Sequence, residues 1–141
     1  MSNTIRKSIY LAAPKKRVWA FLTDPEKLSL WFHKPAATLT PGPYEMCGTE
    51  SGKALMWGEV LRADPHDLLE YTFTIKPMNG ASSHVKWQLE DVPGGTRLSL
   101  EHSELPEGEA AFGLTLALDE GWDDHLRRMR VLAPKEDERA A

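Results

Sequence analysis

The chain has one cysteine, Cys47, which excludes an intrachain disulfide and any cysteine-based metal motif. Cys47 therefore reads as a half-buried small apolar residue in a protein of a reducing compartment. No stretch reaches the 18 or so apolar residues of a membrane-crossing helix, and Met1-Ser2-Asn3-Thr4 runs into Ile5-Arg6-Lys7 without a signal-type apolar segment. A cytoplasmic location without a membrane partner is expected. Basic residues are outnumbered, 17 Lys and Arg against 21 Asp and Glu, which argues against a nucleic-acid backbone as the main partner. No phosphate-binding loop or dinucleotide fingerprint leads from a strand into a helix, and Gly94-Gly95 reads as a hairpin turn. The five histidines are scattered, and Asp123-Asp124-His125 spreads around a helix, so neither a metal nor another cofactor is expected. Ser82, Ser83 and Ser103 have no base and acid partner evident in the sequence.

What is present fits a single domain that folds by burying a core: 141 residues, 41% hydrophobic and 27% charged, without internal repeats. Thr4 to Leu11 reads as a strand, with Ile5, Ile9 and Leu11 on one parity and Lys7 interrupting it. Pro14 suits the first turn of a helix whose apolar face is Val18, Phe21 and Leu22. Asp24 and Pro25 read as the N-cap and first residue of a second short helix bearing Leu28, Trp31 and Phe32.

Turn clusters then recur at Pro41-Gly42-Pro43, Gly48 to Lys53, Asp64 to Asp67, Pro77 to Ala81 with Asn79-Gly80, and Pro93 to Gly95. They delimit six further strands. Leu69, Tyr71, Phe73 and Ile75 alternate with polar residues, as do Val85, Trp87 and Leu89, and then Leu98 and Leu100, which predicts an antiparallel meander with one dry face. The same alternation places Glu70 and Glu101 on the wet face.

A helical stripe follows at Leu114, Leu118, Trp122, Leu126 and Met129, extended by His125 and Leu132, which predicts a helix of about twenty residues. Acids precede bases along it, as the helix dipole prefers, and Asp123/Arg127 and Asp124/Arg128 are spaced for i,i+4 pairs. Gly121 is unfavourable inside that helix, and a close approach to the sheet or another helix is the expected compensation. Beyond residue 132, the segment 133–141 lacks apolar periodicity and is expected to fray.

The order strand, two short helices, six strands, long helix gives an α+β architecture in which the last helix covers a curved antiparallel sheet. Ala13-Pro14, Val18-Trp19, Thr23-Asp24-Pro25 and Trp31-Phe32 resemble the opening of the START-like (SRPBCC, helix-grip) superfamily. Gly58-Glu59-Val60, Asp64-Pro65, Gly95-Thr96-Arg97-Leu98, His102-Ser103 and Gly121-Trp122 extend the resemblance to the group named after the activator of heat shock protein 90 ATPase. It covers about residues 4–132. In the eukaryotic cochaperone of that name, a separate N-terminal domain contributes to chaperone binding, and this sequence has no room for one.

The resemblance implies a small-molecule binding domain, not an enzyme in the first instance, with an apolar or aromatic ligand in a cavity under the last helix. The candidate ligand-binding residues are Trp31, Trp57, Tyr71, Phe73, Trp87, Leu100, His102, Trp122, Leu126 and Met129. Five tryptophans can wall a flat ligand or simply fill the core. His102, on the parity of Leu98 and Leu100, projects a polar group into apolar space, and His33, His66 and His84 read as loop or wet-face residues. The rival readings are a stress-response module that acts on a chaperone and a cavity enzyme of cyclase or hydrolase type with His102 as its base. A monomer or homodimer fits each.

Overall fold

The computed structural model describes residues 3–48, 53–78 and 80–140. Strand β1 (Asn3–Leu11) leads into α1 (Lys15–Thr23) and α2 (Pro25–Trp31). Six strands follow: β2 (Lys34–Pro35), β3 (Gly42–Cys47), β4 (Ala54–Asp64), β5 (Leu68–Ile75), β6 (Ser83–Val92) and β7 (Gly95–Leu105). Helix α3 (Phe112–Ala140) closes the chain. The strands form one antiparallel sheet in the order β1-β7-β6-β5-β4-β3-β2. This is the helix-grip α+β fold expected.

Register shifts in β1, β3 and β4 are the bulges by which such a sheet bends. The alternation holds: Leu69, Tyr71 and Phe73, Val85, Trp87 and Leu89, and Leu98, Leu100 and His102 are all buried on the concave face. Helix α3 lies over β1 and α2, with Trp122, Leu126 and Met129 buried. Lys7, the interruption in β1, reaches from the sheet to α3, its Nζ 2.7 Å from Asp119 and 3.0 Å from Asp123.

The cap at α2 is as expected, with the Glu26 amide donating to Asp24 Oδ1 at 2.9 Å. Pro14 stands one residue outside α1, at its cap position. Trp31 ties the two short helices together by donating its indole N–H to Phe21 O at 2.7 Å. The hairpin between β6 and β7 needs its glycines: Gly94 has φ 92°, and a Cβ on Gly95 would stand 2.0 Å from Leu11 O. At the β4–β5 turn the Asp67 amide donates to Asp64 O at 3.0 Å and His66 has φ 72°. Asn79 and residues 49–52, on which parts of two expected turns fall, lie outside the described residues.

Four expectations are corrected. Gly42 and Pro43 belong to β3, and the strand ahead of them is the two-residue β2. Proline is tolerated there because β2 covers β3 only at Met46 and Cys47, so Pro43 sits on a sheet edge. Helix α3 has 29 residues rather than about twenty, its backbone helical past Pro134 to Ala140, in a stretch rich in helix formers. The i,i+4 pairs do not form: Asp123 is drawn to Lys7, Arg127 pairs with Asp124 at 3.1 Å, and Arg128 turns to Trp31 O at 3.3 Å. A Cβ on Gly121 would meet nothing within 4 Å, so no close approach compensates that glycine.

Candidate functional site

Nine of the ten candidate residues converge. Trp31 comes from α2, Tyr71 and Phe73 from β5, Trp87 from β6, Leu100 and His102 from β7, and Trp122, Leu126 and Met129 from α3, each at most 4% exposed. Trp57 does not join them. It occupies the opposite parity of β4 from Met56 and is 38% exposed beside Leu55 and Leu61, because inward positions of that strand fall at Met56 and Val60.

The space beneath Trp122 is taken by side chains. The Phe32 ring stacks on Trp122 with centroids 5.3 Å apart, Trp87 meets it edge-on at 5.5 Å, and Phe73 stands at 6.2 Å. Trp31 in turn meets Trp87 at 6.0 Å. Aromatic pairs at these separations contribute about 0.5–1.5 kcal/mol beyond their buried area. These rings form one aromatic cluster beneath α3.

His102 sits inside that core, fully buried, and its two ring nitrogens are both engaged. The Trp122 indole N–H donates to Nδ1 at 3.0 Å. An indole nitrogen only donates, so Nδ1 is the acceptor and the ring proton sits on Nε2. That proton faces Ser83 Oγ at 2.7 Å, and Ser83 passes its own hydrogen to Phe73 O at 2.8 Å. A serine nucleophile needs the reverse polarity, with the imidazole accepting the hydroxyl proton. The Ser83–His102 contact, not visible as a pair in the sequence, is therefore arranged as a structural relay. Burial pushes the His102 pKa down to about 3, so the ring is neutral at neutral pH.

A second cluster lies where α2 meets α3. His125 Nδ1 and Arg128 Nη1 approach Trp31 O at 2.9 Å and 3.3 Å, covering a carbonyl at the end of α2. His33 stacks on Phe32 at 4.4 Å and faces the His125 ring at 5.6 Å. Burial, with the nearby His125 and Arg128 charges, lowers the His33 pKa to about 4. His33 is a loop residue, as expected, in the connection between α2 and β2, and it is half-buried there against Phe32. His84 bonds Glu70 Oε2 at 3.0 Å on the outer face, and His66 is exposed, as expected.

The open concavity lies elsewhere, along residues 34–48. It is a groove of about 670 Å³ between the β2–β3 connection and the β3 edge, with Pro35, Leu39, Pro41, Pro43 and Tyr44 among its apolar walls and Lys34 and Glu45 among its polar ones. Leu39 anchors the connection by donating its amide to Thr23 O at 3.0 Å. Tyr44 is fixed by its hydroxyl, which donates to Thr72 O at 2.6 Å. That carbonyl is free to accept because the ladder opens locally, the Glu59 amide bonding the Thr72 hydroxyl at 2.8 Å instead. The sequence hides this site, because its proline- and glycine-rich walls read as a turn.

Among the described residues, no three or more His, Cys, Asp or Glu side chains converge as a metal site. No described helix is long and apolar enough to cross a membrane.

Residues 12–133 match the family described as Activator of Hsp90 ATPase homolog 1-like protein. The chain belongs to that family. Solved structures carry the same fold. The AHSA1 protein of Silicibacter pomeroyi is 25% identical with a TM-score of 0.76, over 95% of this chain and 99% of that one. CalU16 of Micromonospora echinospora is 24% identical with a TM-score of 0.76, over 98% of this chain and 80% of that one. DynU16, from the dynemicin biosynthetic locus, is 24% identical with a TM-score of 0.77, over 96% of this chain and 47% of that one. No curated protein matches the sequence.

Proposed function

We propose that this family member binds a small apolar or aromatic molecule, and that the groove along residues 34–48 receives it. The observation that carries the reading is the groove itself: about 670 Å³, within the roughly 300–1,000 Å³ typical of small-molecule sites, with mostly apolar walls and a few polar groups. Binding draws on apolar burial at about 25 cal/mol per Å². The biosynthetic setting of DynU16, a relative in fold, agrees with a role in handling a small molecule.

Native mass spectrometry of protein purified without stripping tests the reading directly, followed by a thermal-shift screen of uncharged aromatic compounds. A co-purifying molecule, or a raised Tm that Tyr44→Ala abolishes, supports it. Absence of any bound mass together with an unchanged Tm across the screen rejects it.

A further inference from the structure

Tyr71 carries a buried hydroxyl that the core does not use up. The residue is 2% exposed, and its oxygen accepts the Trp87 indole N–H at 3.0 Å. A phenol has one hydrogen to donate besides its lone pairs. Among the described residues, no acceptor takes the hydrogen of Tyr71. A buried donor left unsatisfied costs about 1–3 kcal/mol, so an acceptor from outside the chain has a place there.

Tyr44 links this donor to the groove. Its ring lines the groove and also meets the Tyr71 ring edge-on, with centroids 5.4 Å apart. Only the hydrogen bond to Thr72 O pins the Tyr44 hydroxyl in that position. Tyr71 itself does not line the groove, so contact between it and a ligand there requires the Tyr44 side chain to turn away.

We propose that Tyr71 is the orienting donor for the groove's ligand, and that the ligand is an uncharged flat apolar molecule bearing an acceptor oxygen of the ketone, aldehyde or quinone type. The inference rests on the small-molecule reading above. A carboxylate carried to the buried Tyr71 hydroxyl beside Trp87 would lose its hydration, which is costly. A donor group on the ligand would compete with the Trp87 N–H for the Tyr71 oxygen. Burial holds the Tyr71 pKa well above the usual phenol range, so the hydroxyl stays a donor at neutral pH.

The test uses two probes of equal size, 2-acetylnaphthalene and 2-isopropylnaphthalene, which differ by a carbonyl oxygen in place of a methyl group. Calorimetric titration of the wild type gives about tenfold tighter binding of the ketone, the equivalent of one charge-neutral hydrogen bond. Tyr71→Phe removes that preference and leaves the hydrocarbon affinity unchanged. Since Tyr71→Phe also takes the acceptor from Trp87 and can fail to fold, a second measurement is made on the wild type. The carbonyl stretch of bound 2-acetylnaphthalene falls to lower wavenumber than in hexane. Equal affinities in the wild type, a preference that survives in Tyr71→Phe, or an unshifted carbonyl stretch overturns the inference and leaves the small-molecule reading standing. Failure of both probes to bind the wild type overturns the two together.

Discussion

The Trp122 indole N–H meets His102 Nδ1 at 3.0 Å, and the direction of that bond sets the rest of the chain through Ser83 to Phe73 O. The same side chain fills the core and fixes the tautomer. Trp122→Phe keeps a ring in place and removes the donor, leaving a buried nitrogen lone pair unsatisfied. The expected loss is about 2–4 kcal/mol in urea denaturation, combining that penalty with lost packing. Nitrogen NMR of His102 then shows a mixture of tautomers, where the wild type shows the Nε2–H form alone. A loss below about 1 kcal/mol with the tautomer unchanged contradicts the assigned relay.

Acid stability follows from the same burial. The His102 pKa is lowered from 6.5 to about 3 in the folded protein, so between those values the unfolded chain binds a proton that the folded chain does not. Stability is fully present above pH 6.5 and is lost as pH falls toward 3, at up to about 1.4 kcal/mol per pH unit for one such group. His33, lowered to about 4, acts in the same sense from its half-buried position. Denaturation between pH 7 and 4 should show this slope, and His102→Gln should flatten it. An equal slope in the variant would falsify the assignment.

Three glycines separate by what a Cβ would meet. At Gly95 it would lie 2.0 Å from Leu11 O and at Gly58 2.3 Å from Thr72 O, both backbone atoms that cannot step aside. Gly121 has nothing within 4 Å and sits inside α3. Gly121→Ala therefore raises stability by about 1 kcal/mol through helix propensity, whereas Gly95→Ala and Gly58→Ala unfold or strongly destabilise the protein. Melting curves of the three variants decide it, and a drop in Tm for Gly121→Ala would show that α3 is closer to a neighbour than the structure places it.

The sequence pattern carried the fold because its signals are local and repeat. Alternation at Leu69, Tyr71 and Phe73 and the stripe from Leu114 to Met129 each report one inward face, the strand face and Trp122, Leu126 and Met129 being buried and Leu114 and Leu118 partly so. The site was less legible because it depends on contacts across the chain. Ser83 and His102 meet across a strand pair, and Tyr44 reaches Thr72 across β4. Parity identified His102 as inward-facing, but only the Trp122 N–H reveals which nitrogen carries the proton. Trp57 was misplaced because an aromatic residue in a strand favours burial in general, while the phase of β4 is set by Met56 and Val60.

Lys7 provides a test of how the sheet edge holds α3. Its ammonium is 17% exposed and lies between Asp119 and Asp123, whose hydrogen bonds and charges raise its pKa against an opposing desolvation that is the largest single effect. Because both acids are about half exposed, the pairing is discounted to about 1 kcal/mol. Lys7→Met should cost about that much, and the difference from the wild type should shrink as added salt screens the two pairs. Amide exchange localised to α3 and β1 would report the loosened contact. A uniform change across the sheet would argue that Lys7 matters for its stem alone.

Trp57 separates the outer face from the ligand groove by fluorescence. Trp31, Trp87 and Trp122 are at most 2% exposed, Trp19 is half-buried against His66, and Trp57 is 38% exposed. Acrylamide should therefore quench mainly Trp57, and Trp57→Phe should remove most of the quenchable, red-shifted emission. The stability cost is small, about 0.2–1 kcal/mol for losing the larger ring from a cross-strand position. Trp57 is not among the residues that line the groove, so a ligand-induced change in the remaining emission should persist in Trp57→Phe with the same Kd. If binding itself is lost with Trp57, the ligand sits on the convex face beside Leu55 and Leu61, and the groove along residues 34–48 is not its seat.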